Sequence, residues 1–279
     1  MAPKVFVFDS GLGGLTVLSE IVRLRPDVQC LYVADDAGFP YGRLSEAALV
    51  ARVGDVMDRL IARFAPDAIV IACNTASTLV LPHLRAAYPQ IPFIGTVPAI
   101  KPAAALSRSK MISVLATPGT VARDYTRDLI RTYAAHCAVN LVGSTRLAGL
   151  AEAFMNGEEI ADGEIAQEIS GCFVTDGQAR TDCIVLACTH YPLLLSEFAR
   201  LAPWPVTWID PAEAIARRLD HVLREELGMS EGAAAGPHRA LFTGSRPGPT
   251  LEAALLRRGI GENLLELLPL HAADALKSG

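Results

Sequence analysis

Short apolar runs alternate along the chain with longer segments in which apolar residues recur every third or fourth position. Runs at 5–8, 31–34, 69–73, 92–95, 111–116, 139–142, 184–188, 206–209 and 240–243 read as strands, each ended or followed by Gly, Asp, Cys or Thr. Between them the helical spacing appears as Leu15, Leu18 and Val22 with Thr16 as a cap candidate, and as Leu49, Val53, Val56, Leu60 and Phe64 behind a capping Ser45. Further helices are expected from about Thr78, with Pro82 held in the first turn, across Val121, Tyr125 and Leu129, over 147–154, through Ile160, Ile165 and Ile169, and through Ile215, Leu219 and Val222. This alternation predicts an α/β fold with largely parallel sheets flanked by helices. Ligands in such folds bind at the carboxyl ends of strands, where Asp9, Asp35, Cys73, Thr117 and Cys188 all fall.

One construction occurs twice. The run Ile69-Val-Ile-Ala-Cys73-Asn74-Thr75 returns as Ile184-Val-Leu-Ala-Cys188-Thr189-His190, and the preceding Asp67 and Asp182 keep step, since 188 − 73 and 182 − 67 both equal 115. Two strands of equivalent design, each ending in a cysteine, predict two half-molecules facing one another across a cleft with one thiol on each wall.

Composition narrows the chemistry. With 51% hydrophobic and 20% charged residues the chain can build sizeable cores, and a net charge of −5 disfavours a general nucleic-acid binder. No apolar run reaches the length of a membrane span, and the amino terminus lacks the pattern of a signal peptide, so a cytoplasmic protein is expected. The six cysteines include no C-x-x-C pair and read as free thiols; Cys30, Cys137, Cys172 and Cys183 read as small buried hydrophobes. A zinc site would draw on Cys183, Cys188 and His190, but Cys183 lies at the opposite strand end from Cys188. A Cys-His hydrolase leaves Cys73 without a role, and a pyridoxal enzyme must find its lysine among Lys4, Lys101, Lys110 and Lys277. Cofactor-free proton transfer accounts for both matched thiols.

Around them lie short polar side chains. Asp9 ends the first strand and reads equally as a helix cap or a functional carboxylate; Glu152, on a stretch of Leu, Ala and Phe, faces solvent if judged by pattern alone. His190 beside Cys188 is a candidate proton partner, and Ser10, Asn74, Thr75 and Thr189 are donors and acceptors suited to an amino acid's ammonium and carboxylates. The turn Asp9-Ser10-Gly11-Leu-Gly13-Gly14, with Asp35 and Asp36 further on, also admits a dinucleotide-binding reading, although Thr16 occupies the third glycine position.

Five motifs in order resemble those of the glutamate racemases within the aspartate/glutamate racemase superfamily: Phe8-Asp9-Ser10-Gly11-Leu-Gly13-Gly14, Tyr32-Val-Ala-Asp35 with Pro40-Tyr41-Gly42, Cys73-Asn74-Thr75-Ala-Ser77, Val97-Pro98-Ala-Ile-Lys101-Pro102, and Cys188-Thr189-His190-Tyr191-Pro192. The resemblance implies two similar α/β domains with pseudo-twofold symmetry and the active site between them: residues 1–98 completed by 208–279, and residues 99–207. It implies interconversion of L- and D-glutamate with no cofactor, neither pyridoxal phosphate nor metal, and a supply of D-glutamate to peptidoglycan. In its terms Cys73, assisted by Asp9, takes the α-proton of D-glutamate while Cys188, assisted by Glu152 and His190, serves the other face. Asp9, Ser10, Pro40, Tyr41, Gly42, Asn74, Thr75, Thr117, Thr120, Thr189 and His190 map to substrate-binding positions. A homodimer is common in the family, and no membrane or direct nucleic-acid partner is implied. Thr96, Ala187 and Ser144-Thr145 depart from the family's usual residues. The alternatives are a racemase of aspartate or another amino acid, and a protein acting chiefly through DNA gyrase.

Overall fold

The first strand, β1 (Lys4–Asp9), is buried from Val5 onward, and its side chains feed two cores in alternation: Val5 and Val7 join one hydrophobic cluster, Phe6 and Phe8 another. That is the signature of a strand covered on both faces. The structure is a computed structural model that describes residues 2–268. After β1 come α1 (Leu15–Leu24), β2 (Gln29–Ala34), α2 (Glu46–Phe64), β3 (Ala68–Ile71), α3 (Asn74–Ala87) and β4 (Phe93–Gly95). Then follow α4 (Ile100–Leu106), β5 (Met111–Ala116), α5 (Pro118–Ala122), α6 (Asp124–Tyr133), β6 (Ala138–Gly143), α7 (Leu147–Met155) and α8 (Asp162–Ser170). The chain continues through β7 (Thr175–Asp176), β8 (Ala179–Arg180), β9 (Cys183–Ala187), α9 (Leu195–Leu201), β10 (Thr207–Ile209), α10 (Ala212–His221), β11 (His238–Phe242), α11 (Pro249–Leu256) and β12 (Ile260–Leu267).

Two sheets result, each parallel throughout. One runs β12-β11-β2-β1-β3-β4, the other β10-β9-β5-β6; β7 and β8 form a small antiparallel hairpin. Read from β2, the first sheet has the order β2-β1-β3-β4, and the second, read from β6, has β6-β5-β9-β10. The two halves therefore share one topology, with β3 equivalent to β9, and the first is extended beyond β2 by the returning β11 and β12. Helices cover both faces of both sheets, which gives four hydrophobic clusters. The fold is thus the two-unit α/β arrangement that the strand–helix alternation predicts.

Several particulars differ from expectation. The strand at 206–209 does not open the return to the first sheet. Thr207 to Ile209 pair in parallel with Cys183 to Val185, so the second sheet extends through Ile209 and the return begins with α10, beyond the 207/208 boundary. Of the first unit's expected completion, residues 269–279 lie outside the described residues. Helix α3 begins at Asn74, not near Thr78, which places Pro82 in its interior. The Cys73 carbonyl already accepts from the Ser77 N–H at 2.8 Å, so the strand end nucleates the helix at once. The bond that Pro82 cannot make is offset by burial of Val80, Leu81 and Leu84 against the sheet. Ser45 caps α2 as expected, accepting from the Ala48 N–H, whereas Thr16 lies inside α1 and donates to the Gly13 carbonyl.

The repeated aspartates are structural. Asp67 accepts from the backbone N–H of Lys4, at the start of β1. Asp182 accepts from Ser107 Oγ at 2.6 Å and from the N–H groups of Arg108 and Ser109 at 2.7 and 2.9 Å, fixing the turn that leads into β5. Burial alone pushes the Asp182 carboxyl up, but these donors outweigh it and hold the group below the usual carboxylate range. Its ionised form is therefore favoured by folding. That contribution is present above about pH 4 and lost as pH falls through the depressed value. Asp182→Asn is expected to lose stability less steeply than the parent below about pH 4, read from denaturant midpoints across that range.

Candidate active site

The carboxyl ends of β1, β3 and β9 meet where the two units face each other. Asp9, at the end of β1, is fully buried; Cys73 and Cys188 follow β3 and β9 and are 6% and 7% exposed. Asp9 does not cap α1, whose first turn receives no side-chain cap. Its two oxygens are taken instead by Ser10 Oγ at 3.1 Å and, from the other unit, by Thr189 Oγ1 at 2.8 Å. Ser10 Oγ also lies 3.8 Å from Cys73 Sγ. Burial, then the Asp9 charge, pushes the Cys73 thiol up to about 12.

The second thiol has different company. His190 Nδ1 lies 3.9 Å from Cys188 Sγ, and its Nε2 lies 2.6 Å from Glu152 Oε1. Burial favours the neutral imidazole, yet the Cys188 sulfur and the Glu152 carboxylate outweigh it and hold His190 well above its ordinary value. Glu152 is not the solvent-facing residue that the local pattern suggests. Helix α7 buries Leu147 and Ala151, and Glu152 points across the cleft to accept the Leu12 N–H of the first unit at 2.6 Å. Ser144 Oγ starts this helix by accepting from the N–H groups of Arg146 and Leu147, so the serine that departs from the family pattern still serves to place Glu152.

The topology makes the difference between the two thiols explicit. In the first sheet Phe8 pairs with Ile71, and in the second Leu115 pairs with Leu186, so Asp9 corresponds to Ala116. The second half has no carboxylate at the strand end and draws one from α7 instead. Glycines permit the close approach of the units. A Cβ at Gly13 would stand 2.6 Å from the backbone nitrogen of His190 and 2.7 Å from the backbone carbon of Thr189.

Of the remaining expected residues, the threonines meet one another across the two units. Thr75 Oγ1, at the start of α3, lies 3.4 Å from Thr117 Oγ1, which caps α5 and lies 3.1 Å from Thr120 Oγ1. Asn74 is buried; its Oδ1 accepts from Thr96 Oγ1 at 3.3 Å, and its Nδ2 has no partner among the described residues. A buried amide donor without a partner is uncommon in a folded protein. Pro40, Tyr41 and Gly42 lie on the loop after β2, but the Tyr41 hydroxyl turns away from the cleft and donates to Asp35. Sequence reasoning gave no role to the Leu12 N–H, to Thr96, or to Phe39, whose ring centroid stands 5.3 Å from that of His190. The amphipathic and strand patterns carry no trace of these contacts, which join distant parts of the chain.

Two thiols thus stand at matched strand ends in different company, Cys73 beside Ser10 and Asp9, Cys188 beside His190 and Glu152. The family model for Asp/Glu/Hydantoin racemase matches residues 16–219, and the chain belongs to that family. The relatives are narrower in kind. The chain is 58% identical over 220 residues to the glutamate racemase of Brucella anthropi, covering 79% of each chain, and 56% identical over 243 residues to that of Rhizobium meliloti, covering 87% of each. Its fold is similar to Escherichia coli glutamate racemase solved with L-glutamate and the activator UDP-MurNAc-Ala: the TM-score is 0.87 at 38% identity, over 97% of this chain and 100% of the other.

Proposed function

We propose that the protein interconverts L- and D-glutamate by a two-thiol mechanism needing no cofactor, and that this supplies D-glutamate for peptidoglycan. The observation that carries the reading is the pair Cys73 and Cys188, at the ends of equivalent strands in two sheets of the same order. Contacts that cross between the two units, Thr189 to Asp9 and Leu12 to Glu152, hold the two strand ends face to face. One sulfur takes the α-proton as the opposite one delivers a proton to the other face, and the reverse reaction exchanges their roles. Asp9 and Ser10 serve Cys73; His190, held by Glu152, serves Cys188. The open Nδ2 of Asn74, with the hydroxyls of Thr75, Thr117 and Thr120, supplies donors for the substrate's carboxylates, Thr189 contributes through its backbone while its hydroxyl holds Asp9, and the buried setting strengthens these bonds.

Relatives named glutamate racemase, at more than half identity over most of the chain, support glutamate over aspartate as substrate. The six free cysteines fit a reducing, cytoplasmic setting. The homodimer that the family resemblance implies is part of the proposal and is tested by sedimentation equilibrium. The test of function is incubation with L-glutamate, and separately D-glutamate, in heavy water after dialysis against chelator with no pyridoxal phosphate added. Both enantiomers are expected to converge on the racemate, with deuterium at the α-carbon of the inverted product. Racemisation of aspartate but not glutamate overturns the substrate, and inversion that retains the original hydrogen overturns the mechanism.

A further inference from the structure

Asp35 follows β2, is 0% exposed, and takes no part in the chemistry above. Its carboxylate accepts four hydrogen bonds, each of 2.6 Å: from Tyr41 Oη and Arg52 Nε on one oxygen, and from Arg52 Nη2 and Thr243 Oγ1 on the other. Four donors fill the acceptor sites of a carboxylate, so Asp35 has no capacity left for a ligand, which also removes it from the ribose-binding role of a dinucleotide site. Its donors come from three separate segments: the 36–44 loop, helix α2 and the end of β11. Its own N–H donates to the carbonyl of Asp9 at 2.8 Å. The same loop is pinned again at its start, where Ala37 N–H donates to Thr243 Oγ1 and Asp36 accepts from the N–H groups of Gly244 and Ser245.

Burying an ionised carboxylate is costly unless it is paired and fully hydrogen-bonded, so a set of partners this complete locks one geometry. What it locks is the loop that carries Phe39 beside His190 and that holds Pro40, Tyr41 and Gly42, the loop's residues in the proposed substrate site. We infer that Asp35, with Arg52 and Thr243, is the positioning centre for this substrate loop, acting through the inward-turned hydroxyl of Tyr41. The inference rests on the reading of the loop as part of the glutamate site. It assigns Tyr41 an anchoring hydroxyl, and leaves the loop's backbone as the part that meets substrate.

The test compares Asp35→Asn, Tyr41→Phe, Thr243→Val and the double variant Asp35→Asn/Tyr41→Phe with the parent. Asp35→Asn is expected to raise KM for both enantiomers about tenfold, with a smaller change in kcat, because it weakens hydrogen bonds to a charged acceptor. Tyr41→Phe keeps the ring packed beside Phe8, at 6.5 Å between centroids, and is expected to give a smaller rise in KM. The double variant is expected to be little worse than Asp35→Asn alone, because both changes break the same link. Unchanged KM in folded Asp35→Asn and Tyr41→Phe, or a loss confined to kcat, overturns the inference; if Asp35→Asn fails to fold, Tyr41→Phe and Thr243→Val decide. Amide hydrogen exchange of residues 36–44 reads the loop independently of turnover. Faster exchange in the variants supports the inference even if the parent is silent on glutamate, which would refute the substrate reading alone, and unchanged exchange overturns it.

Discussion

Cys73→Ala and Cys188→Ala proteins are expected to fold as the parent does and to lose racemisation in both directions, by about a hundredfold to ten-thousandfold. Loss in both directions from either change is the point. A mechanism with one base that moved between faces would leave one variant nearly intact, whereas opposed thiols make each residue the acid of one direction and the base of the other. The folds should survive because each substitution removes one sulfur atom at a cleft wall, leaving the strands β3 and β9 buried as before. Circular dichroism, together with chiral chromatography started from each enantiomer, checks both halves of the expectation. Full turnover by either variant would sink the two-thiol assignment.

Gly13→Ala is expected to cost about a hundredfold in kcat/KM while leaving both thiols, Asp9, Glu152 and His190 in the chain. The added methyl would meet backbone of Thr189 and His190 in the opposite unit, and backbone cannot swing aside as the end of a long side chain can. The units would be held apart. That separation stretches the Thr189–Asp9 and Leu12–Glu152 bonds, both of which cross the cleft. Gly149→Ala, on α7 where a Cβ meets nothing within 4 Å, is the control expected to behave as the parent. Equal activity of the two variants would show that contact at Gly13 does not set the distance between the halves.

The alternation of strands and helices, the parallel sheets and the repeat were legible because each is written locally, in apolar runs of the right length and spacing. The placement of Asp9, Cys73 and Cys188 in the candidate site was legible for the same reason, since they stand where apolar runs stop. Other features depended on partners far away in the chain. Asp9 could be separated from a helix cap only once Thr189 was seen to reach it from the opposite unit. Glu152 looked exposed because the residue it faces, Leu12, is 140 positions distant and offers a backbone N–H that any residue would supply. Asp35 could be read as a nucleotide contact because nothing nearby in sequence announces Arg52 and Thr243 as its partners. Pro82 is a different case: the start of its helix is dictated by the preceding strand, and burial of the helix outweighs the missing bond.

The correspondence of Asp9 with Ala116 leaves the two thiols with unequal support, a carboxylate and hydroxyl on one side and an imidazole and carboxylate on the other. Mirror-image amino acids have equal free energy in water, so the equilibrium constant between them is one at every pH, whatever the catalyst looks like. An asymmetric pair of half-sites therefore cannot favour either direction in kcat/KM. Its lopsidedness can be expressed only as a difference in kcat between the directions that is matched, factor for factor, by a difference in KM. The enzyme's handedness lies in the concentration at which each enantiomer saturates it, and not in which one it makes.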